Sequence, residues 1–197
     1  MNDSEKSTEI PRRTILQAAA GLAIVGLAND ASVNGIQDVR QAGHGKSGEF
    51  DFLAGEWKIG HRQRKATGKD EWDEFTGEAT CWTILGGVGS VEELRIPAKN
   101  FFGMGLRLLN VENRVWSDFW VNAKSGVLTT PGQTGAFENG VGTFIADDKD
   151  GDQPIKVKGV WDRITADSCR WYQAVSTDGG KTWEENWLMD WVRAAVK

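Results

Sequence analysis

Residues 56–64 read EWKIGHRQR, a segment in which apolar or neutral side chains alternate with charged ones. The members of the first set are Trp57, Ile59, His61 and Gln63. Successive side chains of a β-strand point to opposite faces of its sheet, so a period of two predicts a strand with one buried face. We therefore expect the Trp57 face of this segment to line a protein interior.

The same period of two continues along residues 50–193 and is interrupted by short turn sequences. The predicted strands are Trp57–Lys65, Trp72–Leu85, Ser90–Pro97, Phe102–Asn110, Arg114–Asn122, Gly132–Glu138, Gly142–Asp147, Ile155–Asp162, Cys169–Ser176 and Glu184–Arg193. Turns such as Asn139-Gly140 and Asp150-Gly151 supply the positive φ angles that tight hairpins need. About ten hairpin-linked strands predict an all-β, single, antiparallel up-and-down barrel, because closure removes exposed strand edges.

Tryptophan dominates the predicted interior, since the chain has ten Trp, one Tyr and 24 Gly. Alternation assigns further rows to the inner face: Trp116, Asp118 and Trp120; Ile155, Val157 and Trp161; Cys169, Trp171 and Gln173; and Trp187, Met189 and Trp191. A small barrel either fills such a space with side chains or leaves a pocket. Both outcomes stay open on the sequence.

The two cysteines, Cys81 and Cys169, also fall on inner-facing positions. Their strands are three positions apart in a closed up-and-down order, which corresponds to about 14 Å at the usual strand spacing. A disulfide requires Cα atoms within about 7 Å of each other. We therefore expect two buried free thiols.

The beginning of the chain has the pattern of an export signal. Polar residues are followed by Arg12 and Arg13, and then by the uncharged apolar run Ala18–Ala28. This order is typical of a secretion signal, and the arginine pair resembles the twin-arginine consensus. We predict a signal helix within residues 1–31, a flexible linker at 32–49 and the barrel domain at 50–197. The alternative is a chance Arg-Arg pair before an amphipathic helix.

Export of this kind predicts a periplasmic or secreted protein that is carried by the twin-arginine machinery. The apolar run is shorter than the roughly 20 residues that span a bilayer, so we expect no stable membrane span in the mature form. The formal net charge is -5. A nucleic-acid partner requires a clustered basic surface, and we expect none for this sequence.

Residues 176–183 read STDGGKTW and fit the pattern S-x-D-x-G-x-T-W. This segment resembles the Asp-box hairpin of sialidases and other β proteins. The short Asp178 side chain is suited to bind backbone N–H groups across the turn, and glycine permits the backbone path. We interpret Ser176, Asp178, Gly180 and Trp183 as structural turn residues.

A wider resemblance extends from Phe50 to Arg193. The residues that carry it are Phe52-Leu53-Ala54-Gly55-Glu56-Trp57, Gly86-Gly87-Val88-Gly89 before Glu92, Gly105-Leu106-Arg107, Trp116 with Trp120, Gly135-Ala136-Phe137 before Gly142-Thr143-Phe144, and Trp171 through the 176–183 turn to Trp187. In this order the chain resembles a bacterial family that is defined as a domain of unknown function and placed with the lipocalin-like (calycin) barrels. The resemblance implies an antiparallel barrel with one open end and no particular reaction.

Haem is the cofactor that a distant relative of that family suggests. Nitrobindin holds haem through a histidine in its barrel. The present sequence keeps Gly55 and Trp57 but lacks the rest of the glycine-rich opening motif of nitrobindin. We therefore predict no haem, and the cofactor, if there is one, stays undefined. One domain histidine, with no Cys or carboxylate at zinc spacing, also predicts no metal site.

Two residues are candidates for chemistry. His61, on the inner face, is suited to orient a ligand or to act as a base, and the alternative is a core histidine bonded to a neighbour. Asp118 lies between Trp116 and Trp120 and is suited to anchor a ligand or to act as an acid; the alternative is a partner for an indole N–H or an arginine. No catalytic set is complete.

Two further kinds of charged residue are adjacent carboxylates and long arginines. Glu92 and Glu93 are adjacent on a strand and therefore point to opposite faces, so they do not form a catalytic pair of carboxylates. Arg107 and Arg193 are suited to pair an acidic ligand, and the alternative, which we expect, is a solvated side chain at a strand end.

Three functions are compatible with the sequence. The first is the binding of a small apolar or amphipathic molecule in a Trp-lined barrel. Its candidate binding residues are Trp57, His61, Gln63, Trp116, Asp118, Trp120, Trp171, Gln173, Trp187 and Trp191. The second is a small isomerase or hydrolase that uses a lone Asp or His, and the third is an envelope interaction protein without a ligand. Whether the protein is an enzyme stays open.

Overall fold

A computed structural model describes residues 45–65 and 71–195. Ten strands form one closed antiparallel barrel in which each strand pairs with its neighbours in sequence and the last pairs with the first. The strands are β1 Gly55–Arg64, β2 Trp72–Ile84, β3 Gly89–Ile96, β4 Phe101–Asn110, β5 Val115–Asn122, β6 Gln133–Glu138, β7 Val141–Asp150, β8 Gln153–Asp162, β9 Ser168–Ser176 and β10 Glu184–Arg193. The predicted all-β class and closed up-and-down order are confirmed.

Short helices and tight turns join the strands. Among the described residues, single-turn 3-10 helices occupy Asp51–Leu53 and Pro97–Lys99, and a turn with positive φ angles occupies Leu85–Gly87. The β6–β7 hairpin turns at Asn139 and Gly140, whose φ angles are 50° and 80°. These positive angles explain the Asn-Gly sequence, because few other residues adopt them without strain.

Large and small residues alternate across the interior. An added Cβ at Gly103 would lie 2.1 Å from the Trp120 ring, so the glycine on β4 makes room for the indole on β5. Five tryptophans are among the largest fully buried side chains: Trp57, Trp116, Trp161, Trp187 and Trp191. Indoles packed beside glycines fill the core, as close packing of protein interiors requires.

One end of the barrel, here called the lower end, is covered by residues 45–54. The Gly45 N–H donates to the Arg114 carbonyl at 2.8 Å, and Phe50 is buried against Trp116 with ring centroids 4.9 Å apart. The Arg193 guanidinium lies over the Trp57 ring at 4.3 Å and donates to the carbonyl oxygens of Phe52 and Ala54. The chain before β1 is thereby fastened to the last strand.

The predicted linker, residues 32–49, overlaps the described residues only in its last five positions. Residues 45–49 were assigned to the linker, and they lie against the lower end of the barrel. The rest of the linker and the signal segment with Arg12 and Arg13 lie outside the described residues. Within 45–65 and 71–195, no helix is both long and apolar enough to cross a bilayer.

The cysteine prediction is confirmed. Cys81 on β2 and Cys169 on β9 are both buried, and neither forms a disulfide. The barrel order β2-β1-β10-β9 separates their strands by three positions.

Candidate functional site

The structure divides the candidate binding residues into two groups, apart from Asp118, which lies beside Arg107. Trp57, Trp116 and Trp191 lie near the lower end, among the side chains that residues 45–54 cover. The second group lies toward the opposite end, here called the upper end, where the β1–β2, β3–β4, β5–β6, β7–β8 and β9–β10 connections run. Its members are His61, Gln63, Trp120, Trp171, Gln173 and Trp187.

The three lower indoles are engaged with the protein itself. Trp57 Nε1 donates to the Leu53 carbonyl at 2.7 Å, and Trp116 Nε1 donates to a Glu49 carboxylate oxygen at 2.9 Å. Trp191 packs edge-on against Trp57, with ring centroids 5.9 Å apart. These contacts make the three indoles the floor of the barrel, which separates them from the upper group.

His61 sits in the wall and not on the barrel axis. Its side chain is buried, with 2% of the residue exposed. His61 Nδ1 accepts a hydrogen bond from Trp187 Nε1 at 3.2 Å, which fixes the ring proton of the neutral imidazole on Nε2. Nε2 in turn lies 2.6 Å from where a Cβ at Gly77 would stand. The two nitrogens therefore face the neighbouring strands β10 and β2.

An aromatic stack continues from His61 toward the upper end. The imidazole stacks on Phe75 with ring centroids 4.7 Å apart, and the Lys99 ammonium lies 4.6 Å from the Phe75 centroid on β2. Lys99 also forms an ion pair with Asp73. This pair fastens the β3–β4 connection to β2 above the histidine.

The most deeply buried charged side chains belong to a network around Arg107 that was not predicted from the sequence. Arg107 is fully buried on β4, in contrast to the solvated strand-end position expected of it. Arg107 Nη2 lies 2.5 Å from Glu92 Oε2 on β3, and its Nε lies 3.6 Å from Asp118 Oδ1 on β5. The guanidinium also lies 5.2 Å from the ring centroids of Phe50 and Trp161. The arginine thus joins three strands inside the barrel.

Burial and the neighbouring carboxylates shift the pKa of Arg107 in opposite directions. Burial alone lowers the pKa of the guanidinium, but the carboxylates of Asp118 and Glu92 outweigh it and raise the pKa above its ordinary value. Arg107 therefore stays cationic inside the barrel. Asp118 is an ion-pair partner of this arginine, which is the second of the two roles that the sequence left open.

Strand parity was sufficient to find this network. Glu92 shares its face of β3 with the buried Leu94 and Ile96, and Arg107 shares its face of β4 with Leu109. Glu93 points outward and is exposed, so the prediction that the adjacent glutamates diverge is confirmed. The expectation for Arg107 was wrong because it relied on the general preference of arginine for solvent and not on the alternation of buried side chains along β4. Arg193 is likewise engaged, since it donates to three backbone carbonyls.

Carboxamides form a second polar group, near the upper end. Gln173 on β9 is 6% exposed, and its Nε2 donates to Asn186 Oδ1 at 3.1 Å, next to the bulge in β10. Gln173 Oε1 is buried and accepts no hydrogen bond from the described residues. Gln133 on β6, which the sequence analysis did not single out, is also buried.

The 176–183 turn has the contacts expected of a structural hairpin. Asp178 accepts hydrogen bonds from the Lys181 and Thr182 N–H groups and from the Thr182 hydroxyl. Hydrogen bonds from Thr182 and Ser176 lower the pKa of Asp178 well below its ordinary value. Trp183 Nε1 donates to the Gly180 carbonyl at 3.1 Å and closes the turn.

Comparisons with known proteins leave the family resemblance as an inference from residues. No family model matches the sequence. No curated protein matches it either. Across the described residues, no group of three or more His, Cys, Asp and Glu side chains is arranged to hold a metal ion. The architecture, a closed ten-strand antiparallel barrel, is compatible with a lipocalin-like barrel.

Proposed function

We propose that this chain is an exported, lipocalin-like protein that binds a small apolar or amphipathic molecule at the upper end of its barrel. One observation carries the proposal. Trp171 and Trp187 pack edge-on with centroids 5.9 Å apart, and Gln173 and His61 are buried beside them. Apolar aromatic surface with a few buried polar groups is the composition of small-molecule sites.

The lower end of the barrel is not proposed as a ligand site. Phe50, Trp116 and Trp161 fill it together with the buried Arg107 network. A ligand there would displace side chains that hold residues 45–54 to the barrel. The proposed site is therefore restricted to the upper end, where inward-facing Phe75, Ala146 and Val175 are only half-buried.

The contacts of the two candidate acid–base residues favour binding over catalysis. The Nδ1 atom of His61 accepts the Trp187 N–H, and Asp118 is held by the Arg107 cation. Both groups are thereby fixed in structural roles. For this reason we do not advance the small isomerase or hydrolase as the function.

Blocking substitutions test the binding proposal. In the full chain, N-phenyl-1-naphthylamine, a neutral apolar fluorophore, is expected to bind saturably. Ala146→Trp places an indole on the inner face of the upper end, and we expect it to weaken binding about 10-fold or more. Ile145→Trp adds the same group at the neighbouring exposed position and is expected to leave binding unchanged.

Circular dichroism of both variants tests whether the barrel is retained. If Ala146→Trp unfolds, Val175→Trp on β9 provides a second inward-facing block. Absence of saturable binding by the unmodified chain would overturn the proposal and favour an envelope interaction protein without a ligand.

The export part of the proposal rests on residues 1–31. Arg12→Lys with Arg13→Lys keeps the charge but removes the twin-arginine pair. We expect cell fractionation to find the unsubstituted chain in the periplasm or medium and the double variant in the cytoplasm. Equal distribution of the two chains would contradict twin-arginine export.

A further inference from the structure

We infer that the molecule bound at the upper end is uncharged and carries a hydroxyl or amide head group, and is not a carboxylate. This inference rests on the proposed function, because it names the ligand class of the same site. It follows from three properties of the inward-facing groups: the kind of polar side chain, the partners of the cations and the position of the acids.

Several of the polar side chains at this end are carboxamides. Gln173 and Asn186 are joined by a hydrogen bond on the adjacent strands β9 and β10, and Gln63 faces the same interior from β1. Gln133 reaches across from β6, since its Oε1 lies 3.0 Å from where a Cβ at Gly159 would stand. Gly159 is the strand neighbour of Gln173, so the two glutamines flank one position. Carboxamides both donate and accept hydrogen bonds without charge.

Gln173 defines what the head group has to supply. Its Nε2 already donates to Asn186, whereas its Oε1 is buried and receives no hydrogen bond from the described residues. A buried acceptor without a donor costs about 1–3 kcal/mol. A hydroxyl or a primary amide supplies the missing donor, and a carboxylate has no proton to donate. The ligand is therefore selected for an N–H or O–H group.

Two cations that approach the interior are already paired with carboxylates of the protein. Lys99 is paired with Asp73 at the upper end, and Arg107 is held between Glu92 and Asp118 farther down. A carboxylate that enters the barrel loses its hydration and needs a cation in exchange. If a carboxylate ligand paired with Lys99 or Arg107, a carboxylate of the protein would lose its own ion-pair partner. The described part of the chain thus opposes an anionic ligand.

An acid on the inner face of β7 adds to this preference. Asp148 lies on the inner face of β7, in the same parity as Phe144 and Ala146, and it is half-buried at the upper end. A carboxylate ligand would be repelled by it. A cationic ligand would be attracted only weakly, since water screens a half-exposed charge. A neutral head group is not repelled by Asp148, and it has no ionic hydration to lose when it enters the barrel.

Four ligands of equal chain length test the inference: decanol, decanamide, decanoate and decylammonium. The affinity of each is measured by its displacement of bound N-phenyl-1-naphthylamine from the full chain at neutral pH. We expect decanol and decanamide to bind at least about 10-fold more tightly than the two ions, which corresponds to about 1.4 kcal/mol.

A matched pair of variants assigns the preference to the buried amide. Gln173→Leu removes the acceptor at nearly constant volume, and we expect it to reduce the preference for decanol over decanoate at least about 3-fold. Gln153→Leu changes an exposed glutamine at the start of β8 and is expected to leave the preference unchanged.

The outcomes separate this inference from the function on which it rests. If none of the four ligands nor the fluorophore binds, the proposed function fails. If the fluorophore binds but decanoate or decylammonium matches or exceeds the neutral ligands, the ligand class is wrong while binding stands. If the preference survives Gln173→Leu, the head group is not recognised by this amide.

Discussion

Arg107 Nη2 lies 2.5 Å from Glu92 Oε2, and both residues are fully buried in the barrel. Asp118 joins the pair from the neighbouring strand. A cation in this position holds β3, β4 and β5 together only while its carboxylates remain charged. The contribution of this pair to the stability of the barrel can therefore be tested by mutation.

Glu92→Gln is expected to destabilise the fold by about 3–5 kcal/mol, because it leaves a buried cation with one carboxylate fewer. Urea unfolding measures the loss. Glu93→Gln is the control on the adjacent residue, whose carboxylate is exposed and pairs with Arg95 at the surface. Its expected cost is below about 1 kcal/mol. Equal costs for the two variants would show that the buried pair adds no stability of its own.

Gly77→Ala is expected to destabilise the barrel by about 1–3 kcal/mol, because the new Cβ would overlap His61 Nε2. Gly60→Ala is the comparison, since a Cβ at Gly60 meets nothing within 4 Å. Replacement of glycine by alanine in a strand without a clash stabilises by about 0.5–1 kcal/mol. Thermal unfolding measures the difference. Similar midpoints for both variants would mean that His61 moves freely away from the wall.

The Cys169 thiol is expected to make the stability of the fold depend on pH in the alkaline range. Burial raises its pKa to about 12 in the folded state, from 9.0 for the ordinary thiol, with a smaller contribution from the Glu92 carboxylate. The unfolded chain therefore releases this proton first. The contribution to stability is complete below about pH 9 and is lost as the pH rises toward 12, at about 1.4 kcal/mol per pH unit.

Comparison with Cys169→Ala isolates this contribution, since every other titrating group is shared. We expect the stability difference between the two chains to be constant near about pH 7 and to shift against the unsubstituted chain above about pH 9. Denaturant unfolding across this range provides the measurement. A difference that does not change with pH would contradict the raised pKa.

Asp178 gives the opposite dependence, at acid pH. Hydrogen bonds from Thr182 and Ser176 lower its pKa in the folded state, so its stabilising effect is complete above the ordinary carboxyl pKa of 3.8 and is lost as the pH falls through the folded value. Asp178→Asn should therefore lower the midpoint of thermal unfolding more at neutral pH than near about pH 2. Equal losses at the two pH values would contradict the lowered pKa of Asp178.

Most of the strand pattern followed directly from the sequence. β10 was predicted as Glu184–Arg193 and has those bounds, because alternating indoles lie between clear turn residues. β7 was predicted to end at Asp147 and extends to Asp150. The side chains there are polar, but the backbone hydrogen bonds with β8 continue to the hairpin regardless of side-chain type.

The amino-acid sequence by itself determined the barrel, the hairpin turns and the inward face of each strand, because these depend on local periodicity and turn chemistry. The tertiary structure alone decided how inward residues divide along the barrel axis. Trp57 and Trp187 have the same parity pattern, yet one supports the floor and the other lies beside His61. Their difference comes from strand register and from the chain segment before β1, which bring together residues that are distant in sequence. The buried partner of Arg107 has the same origin, since only closure of the wall places Glu92 and Asp118 on either side of it.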